Sequence, residues 1–199
     1  LYGVNGSGKS CFSKSIGIAI ILAQSGHFVP ATIFKISPFK KLYTRTTSDD
    51  NIFSGHSSFI VEMTELKSIL RYADKNSIVI GDEICKGTEE QSALGIVASS
   101  LERLLSKDVK FVFATHIHKL PTLKMLQTPK LQIKHITVSF DENGDIIFDR
   151  QLLEGQGHKV YGLEVAKHIL QDEEFYNLAY KVTNNLPDTI VPTTKSKYN

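Results

Sequence analysis

The apolar positions of the chain follow two different spacings along its length. From Lys9 to about Gln24 apolar residues recur at helical spacing, and Gly26 follows where a helix would be capped. Further along, consecutive apolar residues at 78–80 and 109–114 are typical of buried strands. The pattern therefore predicts helices and buried strands in turn.

Weaker patterns complete this organisation. The other predicted elements are a short strand at 32–36, a long functional loop at 40–55, a helix from 59 to about 74, a helix at 94–105, a hairpin at 131–150 that turns at 141–144, and two closing helices at 161–170 and 172–184. This alternation predicts an α/β fold with a mostly parallel central sheet and right-handed crossovers. We expect a main domain at 1–160 whose first strand is truncated, a helical element at 161–185 and a linker at 186–199.

The composition restricts the class of protein and the cellular environment that we expect. A formal net charge of +2 over 199 residues does not predict the basic surface that coats nucleic acid. Cys11 and Cys85 have no partner at metal-ligand spacing, so we expect a reducing, intracellular environment. The longest apolar run, at 16–23, is too short to cross a bilayer. We therefore expect a soluble protein without membrane contact, in the cytoplasm, an organelle or a virus-encoded setting.

A phosphate-binding loop pattern opens the chain. Four residues separate two glycines, a lysine and a serine follow, and an apolar helix comes next. The residues predicted to bind a nucleotide are Gly3, Val4, Asn5, Gly6, Ser7, Gly8, Lys9, Ser10 and Cys11. Glycines let backbone N–H groups surround phosphate oxygens, Lys9 would neutralise the β and γ phosphates, and the Ser10 hydroxyl would bind Mg²⁺. A glycine-rich turn without a nucleotide is the alternative, which the following helix disfavours.

Two adjacent carboxylates follow the predicted strand at 78–80. Asp82 and Glu83 would be costly at the end of a buried strand unless a cation or hydrogen bonds compensate for their charge. We expect Asp82 to hold Mg²⁺ through water and Glu83 to orient and deprotonate an attacking water. Helix capping or exposure to solvent is the alternative for such a pair. The phosphate loop in the same chain favours the catalytic interpretation.

Polar residues also follow the strand at 109–114 and precede the second helix. His116 would lie at the carboxyl edge of the sheet, where open α/β folds bind ligands, so we consider it a γ-phosphate sensor. A histidine that faces solvent or makes a structural hydrogen bond is the alternative, and His118 is given no role. Ser57 and Ser58 would form a second anion site with the start of their helix. Simple capping of that helix is the alternative.

Together these motifs resemble the ATPase domain of the MutS family of DNA mismatch-repair proteins. The matching segments are the phosphate loop with its Asn5, Phe-Val-Pro-Ala at 28–31, the Thr-Arg to Val-Glu-Met block at 44–63, Asp-Glu-Ile-x-x-Gly-Thr at 82–88, Ala-Thr-His at 114–116 and Tyr-Gly-Leu-x-Val-Ala at 161–166. They cover nearly the whole chain in the expected order. The part of this block from Ser-Asp-Asp to Val-Glu-Met, at 48–63, is specific to this family rather than to phosphate-loop proteins in general.

The resemblance implies an ABC-type P-loop ATPase in which two copies face each other head to tail. Ser57 of one copy would reach the γ-phosphate bound by the other, and the helices from Tyr161 onward would contribute to dimerisation. Cys85 with Gly-Thr-Glu at 87–89 looks like the branch found in plant organelles, octocoral mitochondria and giant viruses. The chain departs from the bacterial pattern at Ser92, where those proteins commonly have aspartate.

The implied function is hydrolysis of ATP, with Mg²⁺, as a conformational switch of a DNA-bound clamp. The catalytic candidates are Lys9, Ser57, Glu83 and His116. Mismatched double-stranded DNA would be bound by regions outside this chain. Two alternatives stay open: a nucleotide-gated dimerisation module with little turnover, and another ABC-type ATPase of DNA maintenance. The latter would carry a Leu-Ser-Gly-Gly-Gln-like signature, whereas this chain has Ser-Gly-His-Ser-Ser at 54–58.

Overall fold

Helices and strands alternate through most of the chain. The computed structural model describes residues 1–45, 58–85, 88–142, 146–157 and 161–185. Its helices are α1 (Lys9–Gln24), α2 (Ser58–Tyr72), α3 (Glu90–Ser106), α4 (Tyr161–Leu170) and α5 (Glu173–Asn185). Its strands are β1 (Lys41–Arg45), β2 (Ser77–Asp82), β3 (Lys110–Ala114), β4 (Lys134–Ile136), β5 (Ser139–Phe140), β6 (Ile146–Ile147) and β7 (Leu152–Glu154). They form two compact units, the first built around β1 to β3 and the second around α4 and α5.

A parallel sheet in the order β1, β2, β3 forms the centre of the first unit. Arg45 at the end of β1 lies opposite Gly81, and Asp82 at the end of β2 lies opposite Ala114 of β3. The three strands therefore end along one edge of the sheet. The predicted α/β class with a parallel sheet is confirmed, and α2 and α3 are the crossovers that parallel pairing requires.

The central strand β2 is covered on both faces. Ile78 and Ile80 belong to a cluster with Ile20 of α1, whereas Val79 belongs to the larger cluster with α2 and α3. Successive side chains of a strand point to opposite faces, so this division places α1 on one side of the sheet and α2 with α3 on the other. All six residues of β2 are buried, as expected of a strand enclosed in this way.

The first two residues lie beside β3 and β4 in the manner of a strand. The amino group of Leu1 donates to the Phe113 carbonyl at 2.7 Å, and the Thr115 N–H donates to the Leu1 carbonyl at 3.0 Å. The Tyr2 N–H donates to the Lys134 carbonyl at 2.8 Å, and the Ile136 N–H donates to the Tyr2 carbonyl at 2.9 Å, so the backbone of Tyr2 pairs with β4. These bonds bring the loop that starts at Gly3 to the edge where β2 and β3 end.

Most elements occur where the hydrophobic pattern predicts them. The first predicted helix coincides with α1, the two buried strands are β2 and β3, and the closing helices are α4 and α5. The predicted hairpin consists of an antiparallel β4–β7 pair and a β5–β6 pair, while 143–145 of its predicted turn lies outside the described residues. The helix predicted at 94–105 begins earlier, at Glu90, and includes one polar turn more.

Two predictions between α1 and α2 are wrong. Residues 32–36 form no strand; Ile33 is 76% exposed, and the segment pairs with no described strand. The predicted loop at 40–55 instead contains β1, whose Leu42 and Tyr43 pack on opposite faces of the sheet. Lysines before these two residues and Arg45 after them concealed the strand. Residues 46–57 lie outside the described part of the chain.

The second unit contains a pair of helices. The Lys167 ammonium lies 4.8 Å from the centre of the Tyr176 ring and 3.5 Å from a Glu173 carboxylate oxygen, which joins α4 to α5. Apolar side chains at helical spacing on α5 stay exposed, namely Phe175, Leu178 and Val182. Throughout the described ranges, no helix has both the length and the apolar character needed to cross a membrane.

Candidate active site

The loop that precedes α1 folds around the ammonium group of Lys9. Lys9 Nζ donates to the Gly3 carbonyl at 2.8 Å and to the Val4 carbonyl at 3.2 Å, and the side chain is buried. Gly6 and Gly8 have φ angles of 80° and 102°, in the left-handed region that disfavours a side chain. Glycine is therefore needed at both positions, and the loop closes with a positive charge inside it.

The start of α1 carries features that suit the binding of phosphate. Gly8 is the N-cap residue and supplies no side-chain cap, so the first turn of the helix presents its N–H groups and the positive end of its dipole to the loop. Ser10 lies in this first turn, and Cys11 after it is exposed. Asn5 and Gly6 are exposed, whereas the Ser7 hydroxyl is buried without a hydrogen-bond partner among the described residues. The predicted nucleotide-binding residues thus form one continuous segment, made of the loop at 3–8 and the first turn of α1.

Asp82 is buried at the end of β2. Its Oδ1 atom has no hydrogen-bond partner within the described part of the chain. A buried polar atom in this state costs about 1–3 kcal/mol, and more when it is charged. A hydrated cation would satisfy it, and a carboxylate with the Ser10 hydroxyl is a ligand set that suits Mg²⁺, which keeps water and phosphate oxygens in its shell. The residues present therefore fit the ion predicted from the sequence.

The Glu83 carboxylate lies between an ammonium group and an imidazole ring. Its Oε1 atom is 4.0 Å from Lys9 Nζ and 2.5 Å from His116 Nε2. The Glu83 side chain is 13% exposed and that of His116 is 42% exposed, so the pair opens to solvent on the histidine side. The Glu83 N–H donates to the Ala114 carbonyl at 3.0 Å, which ties the end of β2 to the end of β3. The structure thus brings together three of the four predicted catalytic residues.

The backbone of Glu83 is strained. Its φ is 49°, and Cys85 two residues later has φ 66°. Residues with a side chain disfavour this left-handed region by about 1–2 kcal/mol, and such conformations cluster at functional sites. The segment after β2 is therefore held in place by its surroundings rather than by local preference.

Ser57, the fourth predicted catalytic residue, lies outside the described residues. Ser58 is the first residue of α2. The second anion site at the start of this helix stays a prediction.

His118, to which the sequence assigned no role, packs against Tyr2. Its ring stacks on Tyr2 with the ring centres 5.6 Å apart. The Tyr2 hydroxyl donates to the Ile117 carbonyl at 3.1 Å, and burial raises the pKa of this hydroxyl. The two rings hold the strand-like start of the chain against the segment that carries His116.

Three residues near the site were not predicted. Arg45 and Glu62 are buried close to the carboxyl edge, with Arg45 Nη2 3.9 Å from Glu62 Oε1. The signal for Glu62 was present in the sequence, because it falls on the apolar face of α2. The Phe148 ring lies against the phosphate loop, only 3.3 Å from where a Cβ on Gly6 would be. Only a contact across the fold could reveal that residue.

An apolar cavity of about 600 Å³ lies elsewhere in the first unit. Side chains of α3 and β3 line it, together with Leu1 and Phe12. Lys9, Asp82, Glu83 and His116 are not part of its lining, so the candidate site is defined by the loop and the strand ends instead.

Comparison with known proteins assigns this chain to a family. The family model described as MutS domain V matches residues 1–187. The chain belongs to the MutS family. Domain V of MutS proteins is an ATPase-type domain of the ABC and P-loop class, and the helices and parallel sheet found here agree with that class. The predicted resemblance is confirmed.

Individual MutS relatives agree with the assignment. A DNA mismatch repair protein mutS homologue of Acanthamoeba polyphaga mimivirus is 45% identical over all of this chain and 18% of its own length. The mitochondrial DNA mismatch repair protein mutS homologue of Sarcophyton glaucum is 41% identical over 91% of this chain and 18% of its own length. DNA mismatch repair protein MutS of Prochlorococcus marinus (strain MIT 9301) is 40% identical over 94% of this chain and 20% of its own length. The chain therefore spans about a fifth of the length of these relatives.

Proposed function

We propose that this chain binds ATP with Mg²⁺ and hydrolyses it to ADP and phosphate within a MutS-family mismatch-repair protein. The observation that carries the proposal is the meeting of three groups at one edge of the sheet. Glu83 Oε1 is 4.0 Å from the Lys9 ammonium and 2.5 Å from the His116 ring. A cation, a carboxylate and an imidazole on the rim of a phosphate-type loop suit phosphoryl transfer to water.

The loop and the start of α1 bind the nucleotide in this proposal. The N–H groups of the loop surround the phosphates, and Lys9 turns from the loop carbonyls toward the β and γ phosphates. Ser10 would hold Mg²⁺ directly and Asp82 would hold it through water, and the ion would supply neutralisation of phosphate charge. The buried, unpartnered Asp82 oxygen supports this role.

Glu83 activates the water in this proposal. Its carboxylate takes a proton from water as the water oxygen bonds to the γ-phosphorus. The bond from that phosphorus to the bridging oxygen breaks, and the bridging oxygen leaves with the electron pair on ADP. Lys9 stabilises the charge on the transferred group, while His116 orients Glu83 and senses the γ-phosphate. Positioning and electrostatics supply most of the rate.

The proposal extends to a dimer and to DNA. Two copies would face each other, Ser57 of one copy would reach the γ-phosphate bound by the other, and the helices α4 and α5 would contribute to the contact. The exposed apolar side chains along α5 support that last point. Mismatched double-stranded DNA would be bound by other parts of the protein, and the ATP cycle would drive their conformational change.

Phosphate release and nucleotide binding by the protein test the central claim. Glu83→Gln removes the proton acceptor while keeping the shape, so we expect kcat to fall about 100-fold or more with little change in the Kd for ATP. Glu142→Gln, an exposed acid outside the site, is the control and should keep the parent rate. Equal turnover by Glu83→Gln would contradict the role of Glu83. ATP-dependent association of the parent without phosphate release would favour the dimerisation module instead.

A further inference from the structure

A buried carboxylate lies on the core-facing side of α2. Glu62 is 6% exposed and stands between Phe59 and Leu66 at helical spacing, where an apolar residue would be expected. Burial of an ionised carboxylate is costly unless its charge is compensated. Arg45 at the end of β1 is buried beside it, with its Nη2 3.9 Å from Glu62 Oε1. Arg45 therefore balances the charge of Glu62.

The same Glu62 oxygen holds the backbone segment that carries Glu83. Glu62 Oε1 accepts a hydrogen bond from the Cys85 N–H at 2.8 Å, in a buried setting. Glu83 and Cys85 both have left-handed backbone, with φ 49° and 66°. Such conformations persist only where surrounding contacts hold them. Glu62 supplies the contact on one side of Glu83, and the Ala114 carbonyl supplies the contact on the other at 3.0 Å from the Glu83 nitrogen.

The Arg45–Glu62 pair contributes geometry more than stability. Buried ion pairs often add little net stability, because desolvation of both charges offsets their attraction. The specific effect of the pair is that Glu62 accepts a hydrogen bond from the Cys85 N–H, two residues after Glu83, the proposed general base. Glu65 binds the same arginine from the solvent side, with its Oε2 2.9 Å from Arg45 Nε and its side chain 47% exposed. Glu65 is therefore a suitable control residue for substitutions of Glu62.

We infer that Glu62 is a positioning residue for Glu83, because its bond to the Cys85 N–H sets how the Glu83 carboxylate projects from the end of β2. The inference rests on the proposed function, in which Glu83 is the general base. A general base must lie within hydrogen-bond reach of its water, and a misplacement of about 1 Å costs on the order of 100-fold in rate. Arg45 acts through Glu62, by balancing its charge and holding its carboxylate in place.

Turnover and ATP affinity of the whole protein that contains this chain test the inference. Glu62→Met fills a similar space without an acceptor, so we expect kcat to fall about 10- to 100-fold while the Kd for ATP stays within about twofold. Glu62→Gln keeps an amide oxygen that accepts the Cys85 N–H, so we expect it to restore most of the turnover. Glu65→Gln is the matched control and should keep the parent kcat.

A second variant keeps the inference testable if Glu62→Met does not fold. If the unpaired Arg45 unfolds Glu62→Met, as thermal melting would reveal, Arg45→Met combined with Glu62→Met removes both charges together, a replacement that buried ion pairs often tolerate. We expect the double variant to melt near the parent and to show the same loss of kcat.

Each other outcome decides against the inference. Full turnover by a folded protein without the Glu62 acceptor, while Glu83→Gln stays inactive, would overturn it and leave the proposed function standing. Equal losses of kcat and ATP affinity, or no recovery in Glu62→Gln, would assign Glu62 a purely structural role. Absence of ATP hydrolysis by the parent protein would overturn the proposed function, and this inference with it.

Discussion

His116 Nε2 and Glu83 Oε1 lie 2.5 Å apart, so the ends of β3 and β2 are joined by a hydrogen bond between side chains. If both residues serve one step, their substitutions will not act independently. We expect Glu83→Gln to lower kcat about 100-fold, His116→Ala about 10-fold, and the double variant no more than about threefold beyond Glu83→Gln. Steady-state phosphate release measures all three.

The contrary result is a multiplicative loss of about 1000-fold in the double variant, which would mean that His116 works separately from Glu83. Nucleotide affinity is the control for this cycle, because a weaker Kd in His116→Ala would place its effect in binding.

Asp82 offers a test in which stability and activity change in opposite directions. Its buried Oδ1 lacks a partner among the described residues, and Asp82→Asn replaces this carboxylate with a neutral amide, which is less costly to bury. The substitution should therefore raise the free energy of unfolding in metal-free buffer by about 1 kcal/mol or more. The same variant should lose most ATP hydrolysis and the extra stability that Mg²⁺ with ATP gives the parent. Chemical denaturation with EDTA, and then with Mg²⁺ and ATP, measures both effects. A less stable Asp82→Asn protein without metal would contradict this account.

Two glycines should respond oppositely to alanine. A Cβ on Gly81, next to Asp82, would lie 2.7 Å from two ring carbons of Phe113 and 2.9 Å from Ile84 Cδ1, so Gly81→Ala should lower the free energy of unfolding by about 1–3 kcal/mol. A Cβ on Gly95 in α3 would meet nothing within 4 Å, so Gly95→Ala should raise it by about 0.5–1 kcal/mol. Denaturant unfolding of both variants gives the comparison. Equal effects would contradict the packing described at the end of β2.

Asp74, in the turn before β2, should make stability depend on acid pH. The hydrogen bond from Lys41, at 2.7 Å, is the main reason that the pKa of its carboxyl is lowered from 3.8 to about 2, and the Asn76 N–H contributes further. A depressed folded-state pKa means that this stabilisation is present above pH 4 and is lost as the pH falls toward 2. The parent should therefore lose more stability than Asp74→Asn across that window. Unfolding measured at pH 5, 4, 3 and 2 would show parallel curves if the interaction contributes nothing.

The sequence predicted best the elements whose pattern reflects burial. The strand β2 is buried on both faces, and α1 and β3 each bury part of their surface against the sheet and its helices, so these segments show the apolar residues that burial requires. The convergence of Lys9, Glu83 and His116 was also predictable, because parallel strands end at one edge and the phosphate loop leads into α1 there.

Elements set by long-range contacts could not be predicted in the same way. The strand β1 is only five residues long, and it forms because β2 pairs with it in parallel. The charged residues on either side of its apolar positions conceal the strand in the sequence. The left-handed backbone of Glu83 and the bond from Cys85 to Glu62 depend on residues more than twenty positions apart meeting in space. Periodicity predicts which side of a helix or strand is buried. It does not predict which buried polar group that side contacts.

The φ of 49° at Glu83 has a consequence for sequence drift in this domain. Glycine would relax that backbone and asparagine would tolerate it better, so random change at this position tends to gain stability while it loses the carboxylate. Selection for a robust fold alone would therefore favour loss of the acid, and under the proposed function only selection for turnover would retain a glutamate here.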